Sequence, residues 1–139
     1  MIHLIGNQMA RNKLRLYIAY YQRLPSPRQP EKYHTSFILM PKMPKTDSPK
    51  SAIVYHVTNP LDVNLLKAVW KFEPKNSLPR TGKLTGLMLL AKIPPEIGPA
   101  NIEDILNQVP LKQDDDSWWC HNWVCNRCLH SYLRHSYRL

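Results

Sequence analysis

The residues best suited to chemistry in this chain are three cysteines crowded near its end, at positions 120, 125 and 128 of "WWCHNWVCNRC". Three aspartates and a serine at 114–117 come just before them. Aspartate and serine commonly cap the first turn of a helix, so Cys120 is predicted to lie at or near a helix start. The backbone N–H groups and the positive dipole end at such a position stabilise a thiolate, and one N–H can hold a developing oxyanion. Cys120 is therefore the candidate nucleophile.

A thiol nucleophile needs a base, and histidine is the usual one. The candidates are His34 in "YHTSFILM" and His56 in "VYHVTN", each directly after a tyrosine in a stretch rich in strand-forming residues. On neighbouring antiparallel strands two such side chains can lie side by side on one face. One imidazole could then accept the thiol proton while the other orients it through the second ring nitrogen. The catalytic candidates are therefore Cys120, His34 and His56.

Each of these residue types also has a plainer interpretation. A cysteine on an apolar helix is commonly a small core residue, and Cys125 and Cys128, well inside the predicted helix, are interpreted as packing residues. "CNRC" has the spacing of a zinc knuckle, with His121, His130 and His135 nearby. All these groups lie on one predicted helix and its ends, whereas structural zinc sites join two ligand pairs that are well separated in sequence. No metal or other cofactor is therefore expected.

The length of the chain, 139 residues, predicts a single domain, 1–139, with a core at about 11–133 and flexible ends at 1–10 and 134–139. Three cysteines within nine residues make no disulfide framework, so we expect reduced thiols in a cytoplasmic or alternatively nuclear protein. The start of the chain lacks a small-residue cleavage site, although its basic charge leaves a mitochondrial alternative. No apolar stretch approaches the ~20 residues needed to cross a bilayer, so no transmembrane segment is expected.

The charge of the chain is strongly basic, at +9, and uneven along its length. The first 50 residues hold nine lysines and arginines against Glu31 and Asp47 alone. A basic face of this kind can meet phosphate, nucleic acid or anionic lipid, and the plainer interpretation is a solvated surface. The chain has no nucleic-acid-binding motif, and its aromatic residues are not regularly interleaved with the basic ones.

The pattern of elements predicts an α+β fold in which an antiparallel sheet packs against two C-terminal helices. Strands are predicted at 13–21, 33–40, 52–59, 67–74 and 81–94, with 33–59 as a hairpin and the last strand buried on both faces. A helix is predicted at 99–111, with Asn101 as its N-cap, because Ile102, Ile105, Leu106 and Val109 share a helical face. A second helix of three to four turns is predicted from Cys120 onward, with Val124, Cys128 and Tyr132 along its apolar stripe.

The order of these features resembles the permuted NlpC/P60 branch of the papain-like fold, which includes lecithin:retinol acyltransferase-like enzymes and PPPDE-type deubiquitinating peptidases. In the acyltransferase-like members, a first-strand histidine is the base, a second-strand histidine orients it, and a cysteine at a helix start is the nucleophile. The resemblance implies these roles for His34, His56 and Cys120 respectively. Thr35 stands where those enzymes often have tryptophan, and Trp119 stands where the acyltransferase-like motif has asparagine.

A second resemblance covers about residues 11–133. The segments "NKLRLYIAYY", "YHTSFILMPK", "YHVTNP", "LTGLMLLAKI" and "DDDSWWCHNW" are similar to those of an uncharacterised family of small fungal proteins.

Together these observations predict a cysteine-dependent acyl-transfer enzyme, a hydrolase or acyltransferase acting on the amide, ester or thioester of a small-molecule or peptide substrate. One alternative is a non-catalytic domain of the same fold that binds a ligand or partner. The other is a basic nucleic-acid-binding module.

Overall fold

The chain has a mixed α+β fold that is mostly an antiparallel sheet with few helices. The structure, a computed structural model, describes residues 12–24, 33–126, 129, 130 and 133. The predicted flexible ends, 1–10 and 134–139, lie outside these residues, as do Cys128, Tyr132 and His135, for which roles were predicted above. The elements are β1 (Leu14–Gln22), β2 (Tyr33–Pro41), β3 (Ala52–Thr58), β4 (Leu61–Asp62), β5 (Lys67–Ala68), β6 (Lys71–Ser77), β7 (Leu84–Lys92), α1 (Pro99–Asn107) and α2 (Cys120–Val124).

The main sheet has five strands in the order β6-β3-β2-β1-β7, and each neighbouring pair is antiparallel. β1 and β2 pair along their whole length, from Leu14 opposite Pro41 to Gln22 opposite Tyr33. β2 and β3 pair only at 37–39 with 53–55. The part of β2 that contains His34 therefore has no partner on β3. β4 and β5 form a small separate hairpin sheet.

The core lies on the face of the sheet that α1 and α2 cover. Alternate residues of a strand point to opposite faces, and on β2 and β3 the residues directed to this face include Phe37, Leu39, Tyr55 and Val57. Ile102 and Leu106 from α1 and Trp123 and Val124 from α2 complete the same cluster. A smaller apolar cluster on the opposite face contains Ala19, Ile38, Met40, Ala52 and Val54.

α1 follows the predicted apolar face and begins at Pro99, where the predicted range 99–111 begins, but it ends at Asn107. Its N-cap is Gly98, not Asn101. Pro99 occupies the first turn, where proline is tolerated because a backbone N–H at that position has no partner within the helix. Asn101 still contributes, because its Oδ1 accepts a hydrogen bond of 3.0 Å from the Gly98 N–H. Ile102 and Leu106 are buried, as the periodicity predicts.

α2 begins at Cys120, as predicted, but it spans five residues rather than three to four turns. The N–H of Trp119 donates to Asn122 Oδ1 at 2.8 Å, which fixes the first turn. The helix ends at Cys125, and Asn126 Oδ1 then accepts from the N–H of Leu129 at 3.1 Å. Asparagine is a strong N-cap residue, so it starts a new helical turn at a point where the apolar spacing alone predicted continuity.

Two strand predictions are also corrected. The predicted strand 67–74 is divided into β5 and β6, which belong to different sheets. β7 is an edge strand, and Met88 and Leu89 are 49% and 44% exposed, so burial on both faces is wrong. No helix in the described ranges is long and apolar enough to cross a membrane.

Trp123 should be the most costly single truncation in this core. Its side chain is fully buried, and its ring lies 5.4 Å from the ring of Phe37 and 5.7 Å from that of Phe72. Trp123→Ala should lower the free energy of unfolding by about 3–5 kcal/mol, because it leaves a large cavity. Leu24→Ala, at a side chain that is 92% exposed, should change it by less than about 0.5 kcal/mol. Urea unfolding measures both, and equal effects would contradict the assigned core.

Candidate functional site

Two of the three candidate residues meet directly across the sheet. His34 on β2 and His56 on β3 lie with Nε2 of the first 3.1 Å from Nδ1 of the second, within hydrogen-bond distance. Their rings are 5.3 Å apart and nearly perpendicular, at 73°. The expected proximity of these two imidazoles is therefore confirmed. They bridge the gap that opens where β2 and β3 stop pairing.

The sulfur of Cys120 lies against the backbone of the same strand. The N–H of Thr35, the residue after His34, donates to Cys120 Sγ at 3.5 Å. Thr35 has a register partner, Tyr20, on β1 but none on β3, and its N–H is directed at the Cys120 sulfur. Backbone N–H groups of a strand lie in the plane of the sheet. The start of α2 therefore places the Cys120 sulfur at the opened edge of β2, one residue along the chain from His34.

The side chains of the three residues approach this edge from different sides. His34 shares its face with Tyr21, its register partner, and with the smaller apolar cluster, whereas Cys120 belongs to the main core cluster. A nucleophile must be reachable by its substrate, but Cys120 is only 1% exposed, so its sulfur is closed to solvent in this structure. The predicted contact between the Cys120 sulfur and the His34 ring stays a prediction.

Burial holds both imidazoles in the neutral form at neutral pH. Burial, the largest cause, together with the positive charges of His56 and Arg23 lowers the pKa of His34 from 6.5 to about 4. Burial also lowers the pKa of His56, while the nearby carboxylate of Glu73 acts against that shift and Lys75 adds to it. A neutral imidazole can accept a proton, which is the state that a general base requires.

The sequence predictions did not include Glu73, whose carboxylate lies near the imidazole pair but beyond hydrogen-bond distance. His56 pairs in register with Glu73 on β6, and its Nε2 lies 4.0 Å from Glu73 Oε1. If His34 Nδ1 is to act as a base, its Nε2 must carry the hydrogen and donate it to His56 Nδ1. Because His56 Nδ1 accepts this hydrogen bond, the hydrogen of the neutral His56 ring must lie on its Nε2, which faces Glu73. The sequence placed Glu73 in a predicted strand, but it did not indicate that this strand would pair with the strand of His56.

The other described cysteine has different surroundings. Cys125 is exposed, so its interpretation as a packing residue is wrong. Its sulfur lies 3.7 Å and 3.8 Å from the two ring nitrogens of His121, and partial desolvation by the surrounding protein raises the pKa of the thiol. Among the described residues, no group of three or more His, Cys, Asp or Glu side chains could hold a metal ion. Cys128 and His135 lie outside the described residues, so the expected absence of a metal stays a prediction.

The fold and the site define an α+β protein with a hydrogen-bonded pair of histidines beside a cysteine at a helix start. The chain belongs to a family of unknown function (DUF6914), whose model matches residues 13–134. This confirms the expected membership of an uncharacterised family. A comparison with curated proteins finds no match, and neither does a comparison with solved structures.

Proposed function

We propose that the protein is a cysteine-dependent acyl-transfer enzyme, a hydrolase or acyltransferase, of permuted papain-like architecture. The observation that carries the proposal is the convergence at one opened strand edge of a helix-start cysteine with a pair of hydrogen-bonded histidines. The Cys120 sulfur contacts the backbone of Thr35, and the adjacent His34 is already oriented by His56. A nucleophile, a base and a group that orients the base are the three parts that such chemistry needs.

The reaction proceeds in two steps. In the first, His34 takes the thiol proton as Cys120 Sγ forms a bond to the substrate carbonyl carbon. The bond from that carbon to the leaving group then breaks, and the imidazolium of His34 returns the proton to the leaving group. In the second step, water or another acceptor gives its proton to His34 and displaces the thiolate, which restores the thiol. His56 stabilises the transient imidazolium by accepting a hydrogen bond, and the Glu73 carboxylate lies beyond it.

The burial of Cys120 sets a condition on this chemistry. Because Cys120 is 1% exposed, a substrate reaches the sulfur only when the side chains around the start of α2 move aside. The directly preceding Trp118 and Trp119 are half-buried and line a surface cavity. Substrate binding in that cavity is the event that we expect to open the path to the sulfur.

A second candidate function is favoured by the same burial. A cysteine that is never exposed acts as a small core residue, and the domain would then bind a ligand or partner without chemistry. The two candidates differ in whether Cys120 forms a covalent intermediate.

The test is acylation of the intact protein by a small activated ester, p-nitrophenyl acetate, followed by mass spectrometry of the digested chain. The proposed function predicts one acetyl group on Cys120, formed with a burst of p-nitrophenolate. Cys125→Ala should retain the adduct, whereas His34→Gln should form it far more slowly although the thiol is intact. Acetylation of Cys125 ahead of Cys120, or equal acetylation of Cys120 in the protein and in its His34→Gln variant, would support the non-catalytic candidate.

A further inference from the structure

A surface cavity of about 610 Å³ lies between the β4–β5 hairpin and the segment 114–119 that leads into Cys120. Its volume falls within the roughly 300–1,000 Å³ of small-molecule sites. Three of the four tryptophans in the chain, Trp70, Trp118 and Trp119, line it. The proposed acyl chemistry gives none of these tryptophans a part in the bond-making steps and does not say which chemical group the cavity holds.

The tryptophans form a corner of aromatic surfaces. The ring of Trp70 lies 5.3 Å from that of Trp118 at an angle of 80°, and 6.1 Å from that of Trp119 at 88°. The two pairs are edge-to-face contacts, and all three rings line the cavity. The face of an indole attracts a cation, and Trp is the strongest of the aromatic side chains in this respect. The corner is therefore suited to a positively charged group.

The charge of the lining is also suited to a cation. Asp114, Asp115 and Asp116 line the cavity against one lysine, Lys67. Hydrogen bonds from Ser117 and Lys112 lower the pKa of Asp115 to about 2, so it is ionised at neutral pH. Lys67 pairs with Asp114 at 2.9 Å and Lys112 pairs with Asp115 at 3.1 Å.

The third acid differs from its neighbours. Within the part of the chain that the structure describes, Asp116 is exposed and forms no ion pair. The cavity thus presents an uncompensated carboxylate on a chain whose net charge is +9, so the negative potential is local to this site.

The walls of the cavity are held in place before any ligand arrives. Gln113 and Trp70, 43 positions apart, exchange two hydrogen bonds of 2.9 Å between the Gln113 amide and the Trp70 backbone. The Lys67–Asp114 ion pair makes a second link between the two sides. Leu66 and Asp114, on opposite sides, both have left-handed backbone, with φ of 54° and 56°. Such strain in non-glycine residues persists only where the surrounding structure imposes it.

The rim of the cavity also offers apolar surface. Leu61 and Leu66 line it and are 60% and 84% exposed, which is high for leucine. A ligand that fits both surfaces has an aliphatic stem and a cationic head. Lysine and arginine side chains have this form, because their stems pack on apolar surface while the charged ends reach polar groups.

We propose that this cavity binds a cationic side chain of the arginine or lysine kind, carried on a peptide or amide. That this ligand is also the acyl substrate rests on the proposed function, since Cys120 directly follows Trp119 in the chain. The aromatic corner holds the head by its ring faces, the Asp116 carboxylate offsets the charge, and the exposed leucines cover the stem.

The experiment uses the full chain with Cys120→Ala, so that no chemistry interferes with binding. N-acetyl-arginine amide is titrated while the indole N–H signals of the four tryptophans are followed by NMR, and N-acetyl-citrulline amide serves as the neutral analogue of nearly the same shape. We expect saturable shifts for Trp70, Trp118 and Trp119, but none for the fully buried Trp123. The citrulline compound should bind several-fold more weakly, and added salt should weaken binding of the arginine compound.

Variants separate the site from a general charge effect. Asp116→Asn should weaken binding of the arginine compound by about two- to fivefold, the range of an exposed ion pair, while Asp47→Asn, at an exposed acid far along the chain, should leave it unchanged. Equal binding of the two compounds, or equal effects of the two variants, would overturn the proposal. Because binding is measured without Cys120, its failure leaves the acyl chemistry standing, and failure of acylation leaves the binding site standing.

Discussion

Replacing Cys120 with alanine should abolish turnover of acyl donors, with kcat/KM falling by about 10³-fold or more to the background of the uncatalysed reaction. The reason is that the thiol provides the bond through which the acyl group leaves its donor. Cys125→Ala should retain activity within about twofold, since Cys125 is exposed and lies beyond the end of α2. Steady-state hydrolysis of p-nitrophenyl acetate by the two variants measures the difference.

The histidine variants should follow a graded order. His34→Gln should lower kcat by about 10²–10⁴-fold, the usual contribution of a general base. His56→Gln should lower it less, because His56 touches the base and not the substrate. Residues that act as a unit are not additive, so Cys120→Ala combined with His34→Gln should be no slower than Cys120→Ala alone. Independent, multiplying losses would contradict a shared step, and full activity of Cys120→Ala would refute the proposed function.

The strands that carry the histidines could be predicted from the sequence because their composition is decisive. Aromatic and β-branched residues dominate the segments around His34 and His56, and the structure has β2 and β3 there. The shared face of the two imidazoles followed from the alternation of side chains and the expected hairpin. The place of a strand within the sheet did not follow, because pairing between distant segments decides it. β7 has the apolar composition of a central strand but lies at an edge.

The start of α2 was predicted at or near Cys120, whereas its end was not predictable. Cap-type residues indicated Cys120, although the structure uses Asn122 to fix the first turn and Asp115 to bind Ser117 instead. The apolar stripe continued past residue 125, so periodicity favoured one long helix. The side chain of Asn126 satisfies the N–H of Leu129 and starts a separate turn. A local cap therefore overrode a periodic pattern that the buried Leu129 and Leu133 still satisfy.

The tryptophan-lined cavity had no sequence signal of its own. Its two sides, around Trp70 and Trp118, come from segments that look like an ordinary strand and an ordinary acidic loop. Contacts between distant segments bring them together: the hydrogen bonds between Gln113 and the backbone of Trp70, the Lys67–Asp114 ion pair and the contacts between the tryptophan rings. The burial of Cys120 was also not predictable from the sequence, because a residue at a helix start can face either solvent or a sheet.

The stability of the protein should fall as the pH is lowered from 7 to 4.5, and His34 should account for about 2–3 kcal/mol of that fall. The pKa of His34 is about 4 in the folded chain and 6.5 ordinarily. Between these values the unfolded chain binds more protons than the folded one, so acid favours unfolding. The stabilisation from the neutral, buried imidazole is fully present above pH 6.5 and is lost as the pH falls towards 4. The lowered pKa of His56 acts in the same direction.

The charged and titratable groups around His34 come from β1 and the residue just after it, from β3 and from β6. Tyr21 on β1 packs on its ring, Arg23 follows β1, and His56 on β3 faces it directly. Glu73 and Lys75 on β6 act on it through His56. Carboxylates elsewhere in the chain also lose favourable contacts in acid, so only a comparison between variants isolates the imidazole.

His34→Gln removes the titrating group but keeps a polar side chain of similar length, and it should reduce the drop in the free energy of unfolding between pH 7 and pH 4.5 by about 2–3 kcal/mol. His121→Gln, at an exposed histidine, should leave the drop unchanged. Urea unfolding at a series of pH values measures how steeply the free energy of unfolding changes with pH. This slope is independent of any loss of stability that His34→Gln causes at pH 7. NMR titration of the His34 ring in the folded protein should show a midpoint near 4. An ordinary midpoint, with the same slope in all three proteins, would mean that the imidazole is solvated and that the pair with His56 does not form in solution.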